Sequence, residues 1–289
     1  MNLEREQIFL APAALWVLDC FPTIQTSAKI NGYKLAYSQH GDQSRPVVVL
    51  SHSLATSMDI WGYQLPLLSH RFGVLLYDLR GHGGSEIPGN SFTLQELASD
   101  VAALLDHLQI PRAAFVGLSI GGMIGQVFAL QFPNRLSGLV LCSTGCKTEE
   151  QVKLVLEDRI NKVRESGPQS QVEPTLTRWF TSRFIEERPG TMAWVSDLIR
   201  STSVEGYVGC CRAIKELDLT DSLPAIRAKT LLIPGEQDLG FPEKVSRAMQ
   251  QKIADSELIL LRNAAHLGNV EQAHAFNEIL IDFLSHALT

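Results

Sequence analysis

Cysteine is scarce in this 289-residue chain and poorly placed for structural use. The five residues Cys20, Cys142, Cys146, Cys210 and Cys211 are odd in number and form no Cys-x-x-Cys pair. That argues against a disulfide framework and against a cysteine-based zinc site. Neighbours such as Cys210-Cys211 read as helix packing residues, and the implied compartment is reducing and cytoplasmic. No run of five like charges occurs and the net charge is −6, so the chain has no basic arm or cationic surface for nucleic acid. A membrane span is also missing. The apolar stretch Ile8–Leu18 is broken by Pro12, and Glu4 and Glu6 stand where a signal peptide has its positive region. It is also far short of the roughly 20 residues that cross a bilayer. The expectation is a short helix packed on the body or on a second subunit. This disfavours a membrane role and leaves a homodimer open.

What is present suits a large α/β core. Hydrophobic residues make up 45% of the chain, enough to fill one. Short apolar runs at Val47–Ser51, Val74–Asp78, Ala113–Leu118, Leu139–Ser143, Thr230–Pro234 and Leu258–Leu261 alternate with amphipathic stretches. This is the pattern of a mostly parallel sheet flanked by crossover helices. Asn31-Gly32 between Lys29–Ile30 and Tyr33–Gln39 predicts a hairpin with a type I′ turn. Leu94–Leu108 places Leu94, Leu97, Val101, Leu104, Leu105 and Leu108 on one helical face, with Thr93 and Glu96 as a capping box. Ala273–Leu288 reads as a terminal helix. Strand signals vanish between Lys147 and Glu216, where basic and acidic residues balance. The expected organisation is an N-terminal helical extension over residues 1–27, an α/β core over 28–146 and 217–289, and an inserted helical cap over 147–216.

The motif with the most chemistry is Gly117-Leu118-Ser119-Ile120-Gly121-Gly122, set between a predicted strand and a helix. Such a turn is too tight for flanking side chains. It lifts the serine Oγ above the sheet and aims a helix N-terminus at a developing oxyanion. A serine at its free pKa needs a base, and the base needs an orienting acid. His266 lies in a loop after the last predicted strand, and Asp238 follows the Thr230–Pro234 strand, 28 residues before it. This satisfies the chain order serine, acid, histidine. Glu236 is the alternative acid. His82, in Arg80-Gly81-His82-Gly83-Gly84-Ser85, precedes the serine and is expected to pack within a glycine turn instead. The oxyanion donors are expected to be the N–H groups of Ile120 and of Leu54, the latter in His52-Ser53-Leu54-Ala55-Thr56 after the Val47–Ser51 strand.

With these residues placed, the chain resembles the α/β-hydrolases and, within them, the 3-oxoadipate enol-lactonases, from about Ile30 to Leu284. The resemblance rests on Leu50–Leu54, Tyr77–Gly83, the Gly117–Gly122 turn, Arg178-Trp179-Phe180-Thr181, Glu205–Cys211 and His266-Leu267-Gly268-Asn269-Val270-Glu271. Three places depart from the family pattern: His52 replaces an asparagine, Gly268 replaces a serine, and Leu239-Gly240-Phe241-Pro242 stands after Asp238 where the family has a double proline. The resemblance implies an α/β-hydrolase fold and opening of a small carboxylate-bearing lactone through an acyl-enzyme. It calls for no metal or organic cofactor. A carboxylate substrate wants a cation, for which Arg178 and Lys147 are candidates. His52, Ser53, Trp179 and Trp194 are further candidates to line the pocket. The alternatives are an esterase or lactonase for another metabolite, a lyase or cyclase using His266 as base, and a ligand receptor of the same fold.

Overall fold

The computed structural model describes residues 25–89 and 91–288; the helix expected over Ile8–Leu18 lies outside them. Eight strands, β1 (Thr26–Ile30), β2 (Tyr33–His40), β3 (Val47–Ser51), β4 (Gly73–Tyr77), β5 (Ala113–Leu118), β6 (Leu136–Cys142), β7 (Thr230–Ile233) and β8 (Ser256–Leu258), form one sheet. Its order is β1-β2-β4-β3-β5-β6-β7-β8. The hairpin turns at Asn31 and Gly32, whose φ angles of 47° and 89° are those of a type I′ turn, and it pairs Ile30 with Tyr33. β1 opens at Thr26, so Thr26 and Ser27 belong to the sheet and not to the expected extension.

From β4 to β8 every neighbouring pair is parallel. β3 and β5 are buried along their whole length, as helices on both faces of a parallel sheet require. The helices of the described residues are α1 (Leu65–Arg71), α2 (Leu94–His107), α3 (Ile120–Gln131), α4 (Glu150–Ser166), α5 (Val172–Trp179), α6 (Ser182–Glu187), α7 (Pro189–Ser201), α8 (Val204–Lys215), α9 (Glu243–Gln250), α10 (Gly268–Glu271) and α11 (Ala273–Ala287). The Thr93–Glu96 capping box starts α2 with both reciprocal bonds formed. α4 to α8 all fall between β6 and β7, in the stretch where the strand signal disappears. Among the described residues no helix is long and apolar enough to cross a membrane.

Parallel strands send all their C-terminal ends to one edge of the sheet. The connection from β3 runs to β4 on one side and that from β5 runs to β6 on the other, so a crevice opens between β3 and β5 at that edge. The loops after β3, β4, β5, β7 and β8 meet there. They carry Leu54, His82, Ser119, Asp238 and His266.

Candidate active site

Ser119 stands between β5 and α3 with φ 57° and ψ −116°. A residue with a Cβ reaches that conformation only under strain of about 1–3 kcal/mol, so the surroundings must hold it. Ser119 N–H donates to the Cys142 carbonyl (2.9 Å), and the Ser119 carbonyl accepts from Gly122 N–H (2.9 Å) and from Thr144 Oγ1 (2.7 Å). The glycines answer to close approach: a methyl on Gly117 would overlap the Gly121 carbonyl, and one on Gly121 would overlap the Ser51 carbonyl. Ile120, the first residue of α3, has no intrahelical acceptor for its N–H.

Asp238 and His266 are joined. The imidazole Nδ1 lies 2.8 Å from Asp238 Oδ2, and both side chains are buried. The other carboxylate oxygen accepts from Gly240 N–H (2.8 Å) and Phe241 N–H (3.1 Å). Burial alone would raise the Asp238 pKa. The His266 charge and hydrogen bond, with the two N–H groups, outweigh it and hold the carboxyl below the usual carboxylate range. With Nδ1–H on a carboxylate, Nε2 is the basic nitrogen. Glu236 is engaged elsewhere, by Arg262 (2.5 Å) and Asn263 N–H (2.9 Å).

Aromatic rings bracket the imidazole. Trp179, a candidate to line the pocket, stacks on His266 at 6.1 Å between ring centres. Phe241, which the sequence did not single out, stacks on His266 at 5.7 Å. Its only sequence signal was proximity to Asp238. Glu271 was also missed as a structural element. Its buried carboxylate accepts from Thr181 N–H (3.0 Å) and Thr181 Oγ1 (2.5 Å), and from Ala265 N–H (2.8 Å). Leu267 N–H donates to the Trp179 carbonyl (3.1 Å). The α5–α6 junction is thereby fastened to the loop that carries His266.

The remaining expected residues separate. Arg178 is half-buried; its guanidinium donates to the Pro174 carbonyl (3.0 Å) and Thr175 Oγ1 (3.3 Å). It has no carboxylate partner among the described residues. Burial, then the neighbouring Arg159 charge, pulls its pKa down to about 10. Lys147, the other cation expected for substrate, is instead paired with Asp218 at 3.2 Å on the surface, and its charge is already answered. Trp194 meets Tyr63 edge-on at 6.2 Å. His52 and Ser53 have no accessible surface, so neither touches a ligand in this conformation. His52 Nδ1 bonds the Ser53 carbonyl (2.8 Å), and its Nε2 accepts from Leu79 N–H (2.9 Å). Its pocket role is corrected accordingly: hydrogen bonds to backbone occupy both nitrogens.

His82 sits in its glycine turn as expected, with Nδ1 on the Arg80 carbonyl (3.0 Å) and Nε2 accepting from Ala55 N–H (3.1 Å). Burial lowers its pKa to about 4. The unfolded chain therefore binds a proton at His82 near pH 6.5 that the native state refuses until about pH 4, and stability is lost as pH falls across that window. Relative to His82→Gln, wild type is expected to lose about 3 kcal/mol more between pH 7 and pH 4 in urea titrations. Parallel pH dependences for the two proteins would contradict a neutral His82.

Residues 46–273 match the family model described as the α/β-hydrolase fold. Over 243 residues the chain is 37% identical to 3-oxoadipate enol-lactonase 2 of Acinetobacter baylyi, which covers 84% of this chain and 90% of that protein. The enol-lactonase from Burkholderia xenovorans LB400 has a similar crystal structure, with a TM-score of 0.87 and 37% identity, covering 90% of this chain and 100% of that one. A thermophilic esterase from Thermogutta terrifontis, solved with malate bound, is similar at a TM-score of 0.86 and 27% identity, covering 92% and 99%.

Proposed function

The chain belongs to the α/β-hydrolase family, and from that premise we propose that it is a serine hydrolase opening a small carboxylate-bearing lactone through an acyl-enzyme. The observation that carries this reading is the buried Asp238–His266 pair at the sheet edge where Ser119 is held in a strained turn. Enol-lactonases among the relatives narrow the bond to a lactone.

In this mechanism Ser119 Oγ attacks the lactone carbonyl while His266 Nε2 takes its proton and Asp238 stabilises the imidazolium. The oxyanion rests on the Leu54 and Ile120 N–H groups, each worth about 3 kcal/mol in a closed site. The ring C–O bond breaks, and His266 returns the proton to the leaving enolate, which becomes a ketone. Water then attacks the acyl-serine, losing its proton to His266, which passes it to Ser119 Oγ as the acyl C–O bond breaks and the acid departs. Written this way, the reaction needs no metal or organic cofactor. Residues 147–216 serve as the cap over the site, fastened through Glu271. A reducing, cytoplasmic setting belongs to the same reading, supported by the free Cys142, Cys146, Cys210 and Cys211.

The substrate carboxylate is assigned to Arg178, because a half-buried guanidinium with no counter-ion among the described residues favours an anion. Arg178→Met is expected to raise KM about 10–100-fold for a carboxylate-bearing enol-lactone. The same change should leave KM for a neutral ester within about twofold. Equal effects on both substrates would remove Arg178 from this role. The reaction itself is tested by following ultraviolet loss of a muconolactone-derived enol-lactone beside a panel of simple esters. Turnover of the esters alone would replace lactonase by esterase, the reading that the malate-bound esterase neighbour favours.

A further inference from the structure

The loop after β3 contains an alanine in a conformation that alanine avoids. Ala55 has φ 61°, a left-handed position costing about 1–2 kcal/mol for a residue with a Cβ. It follows Leu54, whose N–H has no acceptor among the described residues. The strain therefore sits beside the backbone donor assigned to the oxyanion.

Two peptide planes flank the Leu54 Cα, and each is gripped by a different histidine. In the plane before it, the Ser53 carbonyl accepts three bonds: from His52 Nδ1 (2.8 Å), Thr56 Oγ1 (2.9 Å) and Thr56 N–H (3.3 Å). That carbonyl and the Leu54 N–H belong to one planar trans peptide and point in opposite directions. Fixing the oxygen therefore fixes the N–H. In the plane after it, Ala55 N–H donates to His82 Nε2 (3.1 Å).

The two histidines also tie the loops to each other. His52, from the loop after β3, accepts Leu79 N–H of the loop after β4; His82, from the loop after β4, accepts Ala55 N–H of the loop after β3. Their ring centres are 5.4 Å apart, and both side chains are fully buried. Asp78 adds a third tie by accepting Met58 N–H at 2.7 Å. Burial keeps both rings neutral, with pKa values near 3 for His52 and 4 for His82, so each Nε2 stays an acceptor.

We infer that His52 and His82 are positioning residues that set the direction of the Leu54 N–H by clamping the peptide planes on either side of it. The inference rests on the serine-hydrolase reading above and adds to it what aims one of its two oxyanion donors. Neither histidine touches the substrate.

The test uses kcat for the best substrate of the panel, together with affinity for a trifluoromethyl ketone, whose tetrahedral adduct needs the oxyanion donors. His82→Leu removes the acceptor for Ala55 N–H, and His52→Leu removes the donor to Ser53. Each is expected to lower kcat and ketone affinity together by about 10–100-fold with KM within about twofold. His82→Gln restores an acceptor and His52→Asn restores a donor near the lost nitrogen, and each is expected to recover most of the loss. Thr56→Val, nearly isosteric, removes one donor from the Ser53 carbonyl. It keeps the test open where a leucine variant does not fold, and is expected to cost about 3–10-fold in both quantities. Folded variants with wild-type kcat and ketone affinity would overturn the clamp. Wild-type turnover by Ser119→Ala would instead overturn the serine reading on which it stands.

Discussion

Replacing Ser119 by alanine is expected to lower kcat by about 10⁴-fold or more, with KM little changed. In the proposed mechanism, loss of one oxygen removes the atom on which the acyl-enzyme would form. What remains is the catalysis of the oxyanion donors and substrate binding acting on water. The fold should hardly notice, since the backbone bonds of residue 119 to Cys142, Gly122 and Met123 are kept. A fluorophosphonate probe should label wild type at Ser119, and the variant should stay unlabelled by intact-mass measurement. Turnover in the variant equal to wild type would end the nucleophile assignment. The strain at φ 57° adds a second readout. Glycine takes this conformation without a Cβ penalty, so Ser119→Gly should be inactive yet melt no lower than Ser119→Ala, despite the flexibility glycine adds to the unfolded chain.

The second large effect is expected at Asp238. Asparagine keeps the size of the side chain and an oxygen for the N–H groups of Gly240 and Phe241, but it presents an amide N–H to His266 Nδ1. The imidazole must then carry its proton on Nε2, where a base is needed. A fall of about 10³–10⁴-fold in kcat follows from the wrong tautomer and from loss of the charge that stabilises the imidazolium. Structure and thermal midpoint should change little. Glu236→Gln is the control, because Glu236 bonds Arg262 and Asn263 N–H outside the pair, and its activity should stay near wild type. If Glu236→Gln were the inactive variant and Asp238→Asn the active one, the orienting acid would have been misassigned.

Much of this was legible in the residues because the signals are local. The Asn31-Gly32 turn, the Thr93–Glu96 capping box and the apolar strands each depend on neighbours within a few positions. The structure reproduces them to within a few residues at their ends. The serine turn is local too: its glycines are demanded by contacts within the motif and with the end of β3. Asp238 and His266 are 28 residues apart, but each lies in the loop that follows a strand of a parallel sheet. Chain order and strand ends were enough to bring them to one edge.

Side-chain partners across the fold were not legible. Lys147 and Arg178 look alike as cations in a helical segment. Only the tertiary structure gives Lys147 the surface carboxylate of Asp218 while leaving Arg178 half-buried without a counter-ion among the described residues. His52 looked like a pocket residue because it stands next to the oxyanion loop. Burial and the Leu79 N–H from another loop turned it inward. Phe241 acquired its place against His266, and Glu271 its bond to Thr181, through contacts with residues that no local pattern links to them.

The sequence by itself determined the strands, the helices, the serine turn and the order of its candidate partners, because short-range sterics and hydrophobic periodicity act along the chain. The tertiary structure alone decided which charges are already paired, which histidine meets a carboxylate and which bond only backbone or hydroxyl groups, and what bonds the peptides on either side of Leu54. Those outcomes depend on desolvation and on hydrogen-bond partners distant in sequence, which exist only once the loops have met.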